Sequence, residues 1–161
     1  VAHICDTLRG YIQTVTGRPL QEFWFDIEVS ETARGADRDI ADGMNLLFTP
    51  KTEKLAYPIR YFGEDSTIKP TKFLVIADSY YYMLMHSGFG NRIANYGGFW
   101  FYFEDAQPHG QFPSDKVDEL DILAEIKKQD VIMLMMTEPQ MQRLGWDAID
   151  ELEKALYPPK E

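Results

Sequence analysis

The 161-residue sequence has one cysteine, Cys5, so it forms no internal disulfide. It has no CxxC pair and no His/Cys spacing of the kind that holds zinc, and no metal or other cofactor is expected. Basic residues are scarce: 16 Lys and Arg face 26 Asp and Glu, a formal charge of −10. That balance repels phosphate backbones and anionic lipid surfaces and argues against nucleic acid as a partner. Long apolar runs are also missing. The stretches 73–76 and 131–136 fall far short of the ~20 residues that cross a bilayer, so no membrane span is expected. There is no internal repeat, no low-complexity tract and no GxGxxG loop after a strand.

What is present is 45% apolar and 14% aromatic residues, enough to bury the core of a single domain. The chain opens on Val1 without a signal-peptide pattern, and Ile4, Leu8, Tyr11, Ile12 and Val15 already recur at helical spacing. A helix that starts without a cap or a preceding turn leads us to expect a natural chain extending upstream. This first helix stops at Gly17 and Pro19, and 22–29 follows as a short strand. Residues 36–47 predict a second short helix, and 48–71, with Pro50, Pro58, Gly63 and Pro70 scattered through it, a long surface connection. Residues 1–71 are thus an N-terminal arm and connection, and 72–157 a core of alternating strands and helices.

In that core, 72–78 (KFLVIAD) is a nearly continuous apolar run, the pattern of a strand covered on both faces. Residues 99–103 and 130–136 are similar runs. Helices are predicted at 80–94, at 117–129 with Leu120, Leu123 and Ile126 inward and Ser114 as N-cap, and at 147–157. The fold class is therefore α/β, with a mainly parallel sheet and helices on its faces as three layers. Ligands in such sheets gather at the carboxyl ends of the strands.

Two strands end in polar residues that this rule brings together: Asp78 and Ser79 after the first, Thr137 and Glu138 after the third. Ser79 has two readings. It is a favoured N-cap for the helix that follows, which is what local physics prefers. Alternatively, its hydroxyl projects into the cleft as a nucleophile beside the amide donors of the helix start.

The stretch VIADSYY, residues 75–81, resembles the GDS block of the SGNH (GDSL-like) hydrolases, with Ala77 in place of the glycine. DVIMLMMTEPQ, residues 130–140, resembles the third block of that family, with Glu138 where the oxyanion asparagine is expected. ADRDIADGMNLLF, residues 36–48, resembles a segment of the alginate O-acetylation, or DHHW, branch. These likenesses cover about two thirds of the chain. In that branch an Asp-x-His-Trp motif precedes the serine, and here it would fall at or before Val1. His3 matches it poorly, since Val1 and Ile4 stand where the aspartate and tryptophan belong, and His3 lies off the apolar face of its helix.

The resemblance implies a serine-dependent esterase or O-acetyl transferase acting on acylated carbohydrate or a small ester, with Ser79 as nucleophile. It also implies an SGNH/flavodoxin-like sheet and a periplasmic or otherwise extracytoplasmic setting. The rival is a non-catalytic carbohydrate-binding or scaffolding domain on the same fold, favoured by the altered Ala77 and Glu138. A receiver-like domain phosphorylated on Asp78 ranks last, because Asp78 lacks a companion acidic pair and lysine.

Other features read as structural. His86 and His109 have no aspartate at motif spacing. Tyr80, Tyr81, Tyr82, Trp100 and Tyr102 are either a sugar-stacking rim or core packing, with packing preferred. Gly88, Gly90, Gly97 and Gly98 include the candidates for a backbone-donor glycine. The acidic run Asp115, Asp118, Glu119 and Asp121 reads as a solvated helix start.

Overall fold

A computed structural model describes residues 2–44, 48, 53–93, 95–143 and 145–158. The chain folds as a mixed α/β structure with a four-stranded mixed sheet and a separate two-stranded ribbon. Helix α1 (Ala2–Thr16) leads into β1 (Phe23–Ser30), which pairs antiparallel with β2 (Leu55–Phe62) in the ribbon. Between them lie a 3₁₀ turn (Gly35–Arg38) and α2 (Asp39–Gly43). The predicted helix 36–47 is thus shorter than expected, and its residues 45–47 lie outside the described part.

The four-stranded sheet has the order β5-β4-β3-β6. Its members are β3 (Lys72–Ala77), β4 (Asn95–Phe101), β5 (Asp105–Gln107) and β6 (Val131–Met135). Strand β3 is parallel to both β4 and β6, whereas β5 returns antiparallel along β4. The connections carry α3 (Tyr81–His86), a π-helical turn (Phe89–Ile93), a 3₁₀ turn (Val117–Glu119) and α4 (Ile122–Ile126). A last 3₁₀ segment (Glu138–Arg143) and α5 (Ala148–Leu156) follow β6.

Strand β3 is apolar and buried from Phe73 to Ala77 because it is central, and its alternating side chains enter two different cores. Phe73, Val75 and Ala77 pack with Cys5, Ile12, Tyr81, Leu84, Phe89 and Phe99. Leu74 and Ile76 pack with Trp100, Val117, Leu120, Ile126, Trp146 and Ala148 on the opposite side. The N-terminal arm contributes Ala2, Cys5, Ile12, Leu20 and Phe23 to the first of these cores. The Arg18–Asp130 ion pair, at 2.7 Å, fastens the chain after α1 to the amino end of β6.

Several elements depart from the sequence reading. The segment 48–71 contains a full strand, β2, whose Pro58 sits opposite Ile27. A two-stranded ribbon leaves each strand an open edge, and there a proline forfeits no ladder bond. Helix α1 buries Ala2, Cys5 and Ile12, with Leu8 half-buried, while Ile4, Tyr11 and Val15 are exposed. Small residues let the helix lie close to the sheet, so the buried stripe is rotated away from the one marked by large side chains. The helix after β3 ends at His86 and gives way to the π-helical turn at Gly88, whose φ of 91° breaks the right-handed spiral. The helix expected over 117–129 is split into a 3₁₀ turn and α4, and Asp121 rather than Ser114 caps α4 by accepting from the Ala124 N–H at 2.9 Å. The strand read at 99–103 ends at Phe101, because Tyr102 and Phe103 form the turn into β5.

Candidate functional site

Strand order places β4 on one side of β3 and β6 on the other, so the crossovers diverge at the carboxyl ends of β3 and β6. This is where open α/β sheets leave a crevice. Asp78 and Ser79 leave β3 at that point, and Thr137 and Glu138 leave β6 beside them.

Asp78 is buried. Its Oδ2 accepts from both the Thr137 N–H, at 2.7 Å, and the Thr137 hydroxyl, at 2.8 Å. Its Oδ1 accepts from the Tyr80 N–H at 3.0 Å. One carboxylate thus closes an Asx turn at the start of α3 and ties that turn to the loop after β6. Its buried charge is compensated by three donors, two of them backbone amides.

This arrangement corrects the reading of Ser79 as the helix cap. The N-cap position of α3 is Tyr80, without a side-chain cap bond; the Asp78 carboxylate takes the Tyr80 N–H in the preceding turn, and the Ser79 hydroxyl makes no hydrogen bond among the described residues. Ser79 is exposed, as is Glu138. The structure therefore brings Asp78 and Thr137 into contact and leaves Ser79 and Glu138 flanking them as open groups.

Two residues overlooked in the sequence belong to the same place. Gln140 follows Thr137 in a turn closed by its N–H on the Thr137 carbonyl, at 2.9 Å. The Trp146 indole N–H donates to Gln140 Oε1 at 3.3 Å. Because an indole nitrogen only donates, this contact sets the amide's orientation and turns Nε2 away as a donor. That Nε2 has no partner among the described residues. The signal was an amide side chain in the loop after the third strand, two positions beyond the residue that drew attention.

Tyr102 follows β4 at the same end, its N–H donating to the Ala77 carbonyl at 2.9 Å. Tyr102 and Phe103 have φ values of 53° and 59°, and the Glu104 N–H closes the turn on the Phe101 carbonyl at 3.0 Å. Both central positions of this hairpin turn are left-handed, the type I′ pattern that asparagine and glycine usually occupy. Trp146 and Asp147 are also left-handed, at 59° and 68°. Strained, bulky residues in such positions gather at functional sites.

None of the described histidines reaches Ser79. His109 pairs with Asp115 at 2.9 Å, a partner the sequence reading did not foresee. The β4–β5 register sets Gln107 beside Phe99 and Asp105 beside Phe101, so the chain after β5 runs toward the amino end of β3. With Ser79 beyond the opposite end, the separation is on the order of 20 Å at ~3.3 Å per residue. His86 lies seven residues along from Ser79, about 10 Å at 1.5 Å per residue, and stacks on Tyr82. His3 is exposed and meets the Phe25 ring edge-on at 4.9 Å.

The remaining sequence candidates are occupied elsewhere. Tyr81 and Trp100 are core, and the Tyr82 hydroxyl bonds Gln107 at 2.9 Å. Gly88 and Gly98 lie against the rings of Phe62 and Phe112, which accounts for their lack of a side chain. Of the acidic run, Asp121 caps α4, Asp115 faces His109 and Glu119 accepts from Ser114. No group of three His, Cys, Asp or Glu among the described residues is placed to hold a metal ion. No described helix is long and apolar enough to cross a membrane.

No protein-family model, curated protein or solved structure matches the chain.

Proposed function

We propose that Ser79 is the nucleophile of an esterase or O-acetyl transferase acting on acylated carbohydrate, in a three-layer fold with a mainly parallel sheet of the SGNH type. The observation that carries this reading is the Ser79 hydroxyl itself. It is exposed and makes no hydrogen bond among the described residues at the carboxyl end of the central strand, while the neighbouring Asp78 takes the Tyr80 N–H that a capping serine would be expected to engage nearby.

In the proposed reaction the Ser79 Oγ bonds to the acyl carbonyl carbon as its proton passes to a base. The tetrahedral intermediate then collapses, the sugar oxygen leaves with a proton, and an acyl-serine remains. Water or a second sugar hydroxyl attacks that ester and restores the serine. The oxyanion needs fixed donors. The Gln140 Nε2, held by Trp146, is better suited to this than the Glu138 carboxylate, which would repel the developing charge. Asp78 and Thr137 are positioning residues that lock the β3 and β6 loops together.

A base must accept the Ser79 proton; among the described residues His86 stacks on Tyr82, His109 pairs with Asp115 and His3 meets Phe25, so none of these imidazoles is assigned that role.

The test is a serine-directed fluorophosphonate applied to the full-length protein and its Ser79→Ala variant. The wild type is expected to label and the variant to stay unlabelled; equal labelling removes Ser79 from the mechanism. A second reading, a binding or scaffolding domain without catalysis, draws on the absence of an imidazole within reach of Ser79 among the described residues. It is favoured if neither form labels.

A further inference from the structure

A strand at the edge of a sheet offers its unpaired N–H and C=O groups to any other extended chain, and folded proteins guard such edges with proline, charge, brevity or a covering segment. Among the described residues the two sheets have four edges, and three are guarded. Strand β2 carries Pro58, and β1 carries Asp26 and Glu28. The short β5 is covered by the segment that follows it, where the Ala106 N–H donates to the Asp115 carbonyl at 2.8 Å and the Val117 N–H to the Glu104 carbonyl at 2.9 Å. The fourth edge is β6, the last strand in the order β5-β4-β3-β6. Its five residues, Val131–Met135, include no charge, no proline and no glycine. No main-chain group of β6 bonds to main chain beyond β3 among the described residues. Ile132 and Leu134 stay 39% and 36% exposed.

The flanks of this edge carry opposite charges. Lys127 lies before β6 and Glu138 after it; both are exposed, and neither charged group has a partner among the described residues. The charges next to Lys127 are already engaged, Lys128 with Glu125 at 2.6 Å and Asp130 with Arg18 at 2.7 Å. A second β6 laid antiparallel brings the amino flank of each strand to the carboxyl flank of the other, so the lysine of each copy meets the glutamate of the other. Register follows from the same residues. Centred on Met133, the pairing sets Ile132 opposite Leu134 and Val131 opposite Met135, apolar against apolar throughout. Centred on Leu134 instead, it sets Asp130 opposite Glu138, two like charges. Centred on Ile132, it sets Asp130 opposite Leu134.

We infer that β6 pairs antiparallel with the β6 of a second copy of this chain, about a two-fold axis at Met133, and joins the two four-stranded sheets into one continuous sheet. The inference goes beyond the esterase reading and does not depend on it. An unguarded edge accepts strands of many kinds, but a copy of β6 satisfies both flanking charges by symmetry, since each lysine and each glutamate is used once. Two strands of this length bury less than the roughly 1,200 Å² of a standard interface, so the dissociation constant is expected to be about 10–100 μM rather than nanomolar.

The experiment is sedimentation velocity of the full-length protein from about 5 to about 300 μM, a range that brackets this affinity. Wild type is expected to pass from monomer to dimer across it. Ile132→Lys puts a charge on the exposed edge, as guarded strands do, and is expected to weaken dimerisation at least about tenfold while an unchanged far-ultraviolet circular dichroism spectrum shows that the fold is kept. Lys127→Glu and Glu138→Lys are each expected to weaken it at least about fivefold, and the double reversal to return it to within about threefold of wild type. A protein that stays monomeric throughout overturns the inference and leaves the edge to a strand of another protein. A dimer that Ile132→Lys leaves intact lies elsewhere on the surface and overturns it as well. Weakening in both single reversals without rescue in the double overturns the antiparallel register. None of these measurements involves Ser79, so their outcome is separate from that of fluorophosphonate labelling.

Discussion

Asp78 and Thr137 lie 59 positions apart in sequence, yet one carboxylate oxygen receives both the backbone N–H and the hydroxyl of the threonine. The contact joins the ends of two parallel strands at the point where their following chains separate. Removing the buried carboxylate with Asp78→Ala leaves three part-buried donors without their acceptor, two of them main-chain. A loss of about 3 kcal/mol of stability is expected, at the upper end for a buried charged hydrogen-bonding group. Thr137→Val removes only the hydroxyl donor and is expected to cost about 1 kcal/mol. Urea unfolding of the two variants checks the order; equal losses would show that the carboxylate is not what holds the loops.

Ser79→Ala separates the two meanings of the serine by stability alone. A capping serine replaced by alanine costs about 1 kcal/mol. No side chain caps α3, and an exposed Ser79 hydroxyl without a partner among the described residues is expected to change stability by less than about 0.5 kcal/mol. A thermal denaturation difference of several degrees would return Ser79 to the helix and weaken its claim as a nucleophile.

The pairing of Asp78, Ser79, Thr137 and Glu138 at one end of the sheet was legible because it needs only two signals. These are buried apolar runs that must be adjacent strands, and polar residues at their carboxyl ends. The division of labour inside the pair was not legible. Asp78 and Ser79 are both good caps, and which oxygen faces the Tyr80 N–H depends on the backbone turn rather than on residue type. Strand β2 was hidden because Pro58 reads as a strand breaker, and only the openness of a two-stranded ribbon makes it harmless. The buried face of α1 was misread because Ala2 and Cys5 carry little hydrophobic weight in a pattern, while their small size is what brings the helix against the sheet. Gln140 and Trp146 escaped because they interact through a loop that has no period.

Gly98 is expected to tolerate no side chain. It lies within β4 at a φ of 139°, and a β-carbon there would come to 2.2 Å from the Phe112 ring. Phe112 is itself buried and belongs to the same core as Trp100, so the ring has little room to withdraw. Overpacking and backbone strain act together, and Gly98→Ala is expected to lose about 3 kcal/mol or more. Gly110→Ala is the control: its φ of 79° is also left-handed, but nothing lies within 4 Å of the added carbon. Its loss is expected to be about 1 kcal/mol, from strain alone. Similar unfolding midpoints for the two variants would show that Phe112 yields.

Cys5 makes the fold sensitive to alkaline pH in a direction that follows from its surroundings. Burial against the sheet raises the thiol above its ordinary value, and the hydrogen bond with Ser87, at 3.1 Å, only partly offsets this. As pH passes the unfolded thiol value near 9.0, the unfolded chain releases its proton while the folded chain keeps it. The unfolded state then binds fewer protons, so stability falls with rising pH. The contribution is complete below the unfolded value and is lost as pH climbs through the raised folded one. Urea titrations from pH 7 to pH 10 are expected to show a steeper decline for wild type than for Cys5→Ala, the difference between them removing the lysines and tyrosines common to both. The folded protein should also resist iodoacetamide at pH 8 until urea opens it, and rapid alkylation without urea would mean that Cys5 is not enclosed between α1 and α3.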